Sequence, residues 1–199
     1  MSNATGEIPI FPLGSPLFPG GALALRIFEQ RYVDMTKTCI ADEAVFGVAL
    51  IKAGFEVGQP AIPHVIGCSA RIVDWEVPSP GLFRLDTRGE QRFRIFERRR
   101  AADGLILGRV EWIDPPDPMP LPPPFAPLAA LLERLIDEIG TQHFPAPQRL
   151  DDAMWVAYRL CELLPVTPER KQSVLELDDP RQALATIEKM ISGLRDQNE

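Results

Sequence analysis

Eight prolines, at positions 115, 116, 118, 120, 122, 123, 124 and 127, fall within thirteen residues of this chain. Proline fixes φ and has no N–H to donate, so the run favours extended polyproline II and is excluded from a helix interior or a central strand. The pattern predicts a stiff spacer over 115–127 between two differently patterned halves, 7–114 and 128–195. A ligand for a proline-recognising domain is the other reading of such a run. A chain of 199 residues buries about 70 % of its unfolded surface, enough for one sizeable core or two modest ones.

Ahead of the spacer the pattern is one of short strands with a single helix. Pro12, Pro16 and Pro19 break the opening stretch into short extended pieces. Gly20-Gly21 permits a tight reversal into a strand over Ala22–Ile27, and a helix opens near Phe28 or Glu29. Phe28, Tyr32, Met35 and Cys39 recur at helical spacing and predict a core stripe. Val45–Ile51, Val65–Val77, Leu82–Arg88, Gln91–Arg99 and Leu105–Trp112 read as strands, with turns at Pro78–Gly81, Gly89-Glu90 and Asp103-Gly104. Successive hairpins of this length predict a small closed or partly closed barrel.

Behind the spacer the period changes. Leu128, Leu131, Leu132, Leu135 and Ile139 form a stripe ending at Gly140. A second helix is expected from about Asp151 to Leu164, burying Trp155, Tyr158 and Leu160 or Cys161. Thr167-Pro168 and Asp179-Pro180 each supply a capping residue followed by proline at the first helical position. The last helix presents Leu184, Ile187, Ile191 and Leu194 to the interior. Four helices in this order predict a compact bundle, making the fold class α+β.

Several segments carry a family resemblance. The run Phe11–Gly21, continued by Leu25–Tyr32, is similar to the start of the Lon protease N-terminal domain. Gly67–Ile72 and Arg88–Ile95 resemble that family's strands. Leu164-Pro165 followed by Lys171-Gln172-Ser173-Val174-Leu175-Glu176, and then Asp179–Leu184, resembles its helical segment. The likeness runs from about residue 8 to 195. It implies a PUA-like β-barrel followed by a helical bundle, the module with which Lon engages substrates. The sequence has no Gly-x-x-x-x-Gly-Lys-[Ser/Thr] loop and no region matching Lon's Ser–Lys protease dyad. The resemblance therefore implies a stand-alone, non-catalytic domain, with neither ATPase nor peptidase activity and no cofactor.

Charge narrows the partners. A net charge of −7 argues against a dedicated nucleic-acid binder. Residues 84–109 nevertheless hold eight arginines against four acids, and Arg98, Arg99 and Arg100 beside a turn are the alternative, RNA-binding candidates. Alternation places Arg92, Arg94 and Arg98 on one side of a half-buried strand, which accounts for much of that charge. Cys39, Cys68 and Cys161 are too scattered for a zinc site and are expected to be reduced and buried, in a cytoplasmic protein without a signal or membrane segment. No metal site is expected. A His64–Ser69–Asp74 constellation lacks the strand–turn–helix elbow of a nucleophile, so no catalytic residue is assigned. Trp75, Trp112 and Trp155 read as core.

The expected function is binding of unfolded or extended polypeptide, as an adaptor or substrate-recognition protein, with a protease or chaperone as partner. Leu17, Phe18, Phe28, Arg31 and Tyr32 are the candidates for that surface, because a proline-rich loop cannot easily tuck away all its large apolar groups. The same residues also suit closure of one end of the barrel.

Overall fold

Nineteen consecutive residues, Leu82–Arg100, form one strand, where the sequence pattern predicts two strands and a turn at Gly89-Glu90. The structure is a computed structural model that describes residues 5–54 and 61–196. It divides into two units, Met1–Asp114 and Pro115–Glu199.

The first unit runs β1 (Thr5–Leu13), β2 (Ala22–Ile27), α1 (Gln30–Ala41), β3 (Phe46–Ala53), β4 (Ile62–Pro63), β5 (Ile66–Ser79), β6 (Leu82–Arg100) and β7 (Ile106–Ile113). β1 lies antiparallel to β7, β7 to β6, β6 to β5 and β5 to β3. β3 then returns to β1 in parallel, with Ile10 opposite Gly47 and Leu13 opposite Leu50. The hydrogen-bonded order thus comes back to its starting strand, and a parallel return needs a long connection, here carrying β2 and α1. β2 sits outside this circuit, paired to the first part of β6. Pro12 does not interrupt β1 as the sequence suggests, since it keeps its place opposite Ala49.

Gly89 fails to make a turn because another segment crosses it. A Cβ there would stand 2.1 Å from the Phe18 carbonyl oxygen. Gly20 N–H donates to Gly89 O, and Gly89 N–H to Gly21 O, both at 2.8 Å. The proline loop is therefore hydrogen-bonded across the middle of β6. On the other side the pairing with β5 shifts by one residue, β6 bulging so that Glu90 and Gln91 stand against Ser69 alone. The Ser69 hydroxyl fills the gap, accepting from Gln91 N at 3.0 Å and donating to Gln91 O at 3.1 Å.

One buried cluster packs Tyr32, Met35 and Cys39 of α1 against Phe11, Phe46 and Leu85. Phe28 does not join the predicted stripe, since α1 begins after it and its side chain is exposed. A second cluster centres on Phe93 with Ile10, Ile95 and Val110. Gly67 leaves room for the Phe93 ring, whose Cζ would lie 2.6 Å from a Cβ at that position.

The second unit holds α2 (Ala126–Ile139), α3 (Ala153–Leu163), α4 (Pro168–Leu175) and α5 (Pro180–Asp196). Helical structure starts inside the proline run, where Pro123–Phe125 makes a 3-10 turn leading into α2. Pro127 falls in the first turn of α2, where no partner exists for its missing N–H. Leu121 N–H donates to Asp151 O at 2.7 Å and Ala153 N–H to Met119 O at 3.0 Å, so residues 119–121 are tied to the start of α3. Asp152 caps α3 by accepting from Trp155 N at 2.8 Å. Thr167 caps α4 and the Asp179 carboxylate accepts from Arg181 N at 2.8 Å, as the sequence signals predict. α3 is buried over nearly its whole length and packs against α2, α4 and α5. On α2 the buried residues are Leu128, Leu132 and Ile136, an i, i+4, i+8 row, while the expected Ile139 is exposed. On α5, Ala183 and Met190 join Leu184 and Ile187 in the interior, and Ile191 and Leu194 are half-buried.

Replacing Gly89 by Ala forces a methyl group onto the Phe18 carbonyl. The expected outcome is a loss of at least about 2 kcal/mol of stability in urea unfolding, with the strand-rich first unit losing its signal before the helices do.

Candidate functional site

The five residues assigned to a surface from sequence part company in the structure. Leu17 is 4 % and Phe18 1 % exposed, so neither offers a docking surface. The physical reason is the strap across Gly89, which holds the loop backbone against β6 and turns these two side chains inward. Tyr32 is also buried, its ring 4.2 Å from that of Phe11. Burial raises the Tyr32 phenol above its ordinary range, against the lowering effect of Arg31. The Arg31 guanidinium lies 4.7 Å from the Tyr32 ring centroid and pairs with Glu29 at 2.7 Å. Phe28 alone stands out, 57 % exposed, between β2 and α1.

Around Phe28 the surface is concave. A cleft of about 180 Å³ is lined by Phe11, Leu13, Phe28 and Tyr32 together with Ala24–Ile27 and Glu29. A wider cleft of about 430 Å³ shares Ala24, Leu25 and Arg26 with it and extends to Trp75, Asp74, Glu76, Arg84, Leu85 and Asp86. Trp75 was expected in the core, yet it is 49 % exposed. The β5–β6 hairpin carries it beyond the strand circuit, where among the described residues β2 is the one further strand paired to it. β2 thus has a recess on either side, with an aromatic side chain in each. A third hollow of about 280 Å³ lies between Ile62, Val65 and Phe96, beside Lys52 and Arg98.

The arginines are distributed differently from the simple alternation. Arg92 is 2 % exposed, and a bulge between Ile95 and Glu97 shifts the later residues so that Phe96 faces solvent. Arg98, Arg99 and Arg100 are exposed at the end of β6. Arg99 is held by Glu7 through two hydrogen bonds of 2.7 and 3.2 Å. That hydrogen bond places the Glu7 carboxyl below, and the Arg99 guanidinium above, their ordinary values. Arg109 is paired with Glu97 at 2.7 Å and lies over the Phe96 ring.

Residues 7–193 match the family described as the ATP-dependent protease La (LON) substrate-binding domain. The chain belongs to this family. A crystal structure of a Lon N-terminal domain protein from Xanthomonas campestris superposes on this Lon substrate-binding domain with a TM-score of 0.77 and 36 % identity, covering 92 % of this chain and 96 % of that one. The N-terminal domain of a Mycobacterium avium complex Lon protease shares the fold, with a TM-score of 0.64 at 18 % identity over 94 % of this chain and 98 % of that one. Lon protease of Anaeromyxobacter dehalogenans (strain 2CP-C) is 32 % identical over 92 residues, and Lon protease 2 of Myxococcus xanthus 33 % over 92 residues. Those segments are 45 % of this chain and 11 % of either protease, so the chain spans a small part of the length of these relatives.

Within this Lon substrate-binding domain, Ser69 and the three cysteines lie in the interior. Ser69 is buried and bonded to the Gln91 backbone, which removes it from any nucleophilic constellation with His64 and Asp74. All three cysteines are buried and free of disulfides. Burial pushes the Cys39 thiol up to about 11 and the Cys161 thiol up to about 12. Among the described residues no three His, Cys, Asp or Glu side chains gather as metal ligands. Trp75, read from sequence as core, and Leu25, which was not a site candidate, are the residues the clefts bring into play. For Trp75 the missing signal was the length of the β5–β6 hairpin, which alternation alone does not reveal.

Two measurements check this assignment of inside and outside. Phe28→Ser is expected to change unfolding stability by no more than about 0.5 kcal/mol, whereas Phe18→Ala should cost about 3–5 kcal/mol. A thiol reagent at pH 8 should leave the three cysteines of the folded chain unlabelled over a period in which the urea-unfolded chain is fully labelled.

Proposed function

We propose that this Lon substrate-binding domain is a non-catalytic module that binds unfolded or extended polypeptide segments, presenting them to a protease or chaperone partner as an adaptor does. The observation that supports this reading is the pair of clefts flanking β2, each with an exposed aromatic side chain at its margin, Phe28 in one and Trp75 in the other. Exposed aromatic groups beside shallow recesses suit apolar side chains that a folded protein would hide, and they make no demand on sequence beyond that. We read the closed circuit of strands as a PUA-like barrel and α2–α5 as a helical bundle. Action in the cytoplasm belongs to the same reading. Among the described residues no helix is long and apolar enough to cross a membrane.

The second reading, RNA binding, draws on Arg98 and Arg100, exposed at the end of β6 near Phe96. Polypeptide binding is favoured over it because Arg99 and Arg109 are already neutralised by Glu7 and Glu97, and the chain as a whole is acidic.

A reduced and alkylated, permanently unfolded polypeptide separates the two. Its binding should persist as salt rises from 0.05 to 0.5 M, roughly the range over which phosphate contacts lose several orders of magnitude in affinity. Phe28→Asp with Trp75→Asp should weaken that binding at least tenfold, and replacement of Arg98, Arg99 and Arg100 by alanine should leave it unchanged. The pure chain should turn over neither ATP nor casein. Tight, salt-sensitive RNA binding lost with the three arginines, and no polypeptide binding, would reverse the ranking.

A further inference from the structure

Among the described residues β2 is an open sheet edge. Among them it pairs with β6 alone, in unbroken register from Ala22 opposite Arg88 to Ile27 opposite Phe83. Gly89 N–H donates to Gly21 O, and in an antiparallel ladder the peptide groups that face the partner alternate along the strand. This parity turns Leu23, Leu25 and Ile27 toward β6. The peptide groups of Ala22, Ala24 and Arg26 therefore face away from it. Protein edges are commonly guarded by proline, a bulge, inward charge or extreme shortness. β2 has neither proline nor bulge over its six residues, and Arg26 is its only charge.

The charges beside this edge are incomplete. In one layer across the strands Ala24 lies opposite Asp86, and Asp86 opposite Asp74. Like charges directly opposite destabilise a sheet, and neither carboxylate has an ion pair among the described residues; Asp74 accepts only from the neighbouring Trp75 N–H. In the adjoining layer Arg84 already has its acid, Glu76, at 2.8 Å. The small Ala24 side chain leaves the two aspartates open from the edge side. A strand added at β2 would stand two strand spacings, about 10 Å, from Asp86, within reach of a lysine or arginine side chain lying over Ala24.

We propose that the β2 edge takes up an extended polypeptide as an additional strand, selecting segments in which basic and apolar residues alternate. The backbone of Ala22, Ala24 and Arg26 supplies the hydrogen bonds. Residues of one parity place Lys or Arg over Ala24 toward Asp86 and Asp74, and residues of the other place apolar side chains in the cleft beside Phe28 and Leu25. This inference rests on the polypeptide-binding reading above and adds to it a mode of binding and a preferred chemistry.

The test uses the full chain and three ten-residue peptides. One alternates lysine and leucine, one has glutamate in place of lysine, and one keeps the lysine–leucine side chains but carries N-methyl groups on alternate peptide nitrogens. The lysine–leucine peptide is expected to bind, with hydrogen exchange of Ala22, Ala24 and Arg26 slowed in its presence. The glutamate and N-methylated peptides should bind at least tenfold more weakly. Ala24→Pro, which removes an outward N–H, should weaken binding at least tenfold. Asp74→Asn with Asp86→Asn should reduce the preference for lysine over glutamate, a readout that does not depend on the proline variant folding. Equal binding of the methylated peptide with unchanged edge exchange would overturn the proposal and leave polypeptide binding by another surface intact. Failure of every peptide and of the unfolded polypeptide would remove both readings. Protection of the same amides by self-association of the chain, without peptide, would assign the edge to a second copy and overturn the proposal.

Discussion

The backbone contact between the proline loop and Gly89 governs much of the first unit. Two hydrogen bonds join Gly20 and Gly21 to Gly89, and the Phe18 carbonyl occupies the space a side chain would need. Because the loop is held there, β6 continues through Gly89 instead of turning. Leu17 and Phe18 are directed into the interior, and β2, which follows the loop directly, is delivered to the outer half of β6 in a fixed register. The position of the two clefts beside β2 is thus a consequence of one close approach of two backbones. Glycine is required for that approach because any Cβ would collide with the carbonyl oxygen.

What the sequence made legible follows the range of the interactions involved. The caps at Asp152, Thr167 and Asp179 act within three residues of themselves, and the helices they open were readable to within a residue or two. The strand over Ala22–Ile27 and the turn at Asp103-Gly104 were equally local, the latter closed by Gly104 N–H donating to Ala101 O at 2.9 Å. Gly89 misled because a glycine beside a glutamate has the local chemistry of a turn, whereas its role depends on a loop about seventy residues earlier in the chain. Pro127 misled in the opposite sense, since its tolerance in a first helical turn depends only on where the helix begins.

The candidate surface was legible in kind and less so in detail. A proline-rich loop bearing Leu17 and Phe18 gave a sound reason to expect exposed apolar groups, but those groups turned inward and Phe28 and Trp75 stand at the clefts instead. Exposure of a large side chain is decided by the sheet around it. Trp75 pairs with the buried Leu85 of β6, yet it is itself exposed, as are its neighbours along β5.

β1 lies between two neighbours that the ribosome makes at very different times. Thr5 stands opposite Glu111, while Ile10 stands opposite Gly47. The strand made first must wait for the strand made last before the circuit of the first unit is complete, and such distant pairings form slowly because a long loop must close before any contact rewards it. During that interval β1 is an apolar segment at risk of pairing with other chains. Pro9 and Pro12, placed within β1, withhold two of the N–H groups that an intermolecular sheet would use. The prolines that the finished sheet merely tolerates thus protect the newborn chain while it is incomplete.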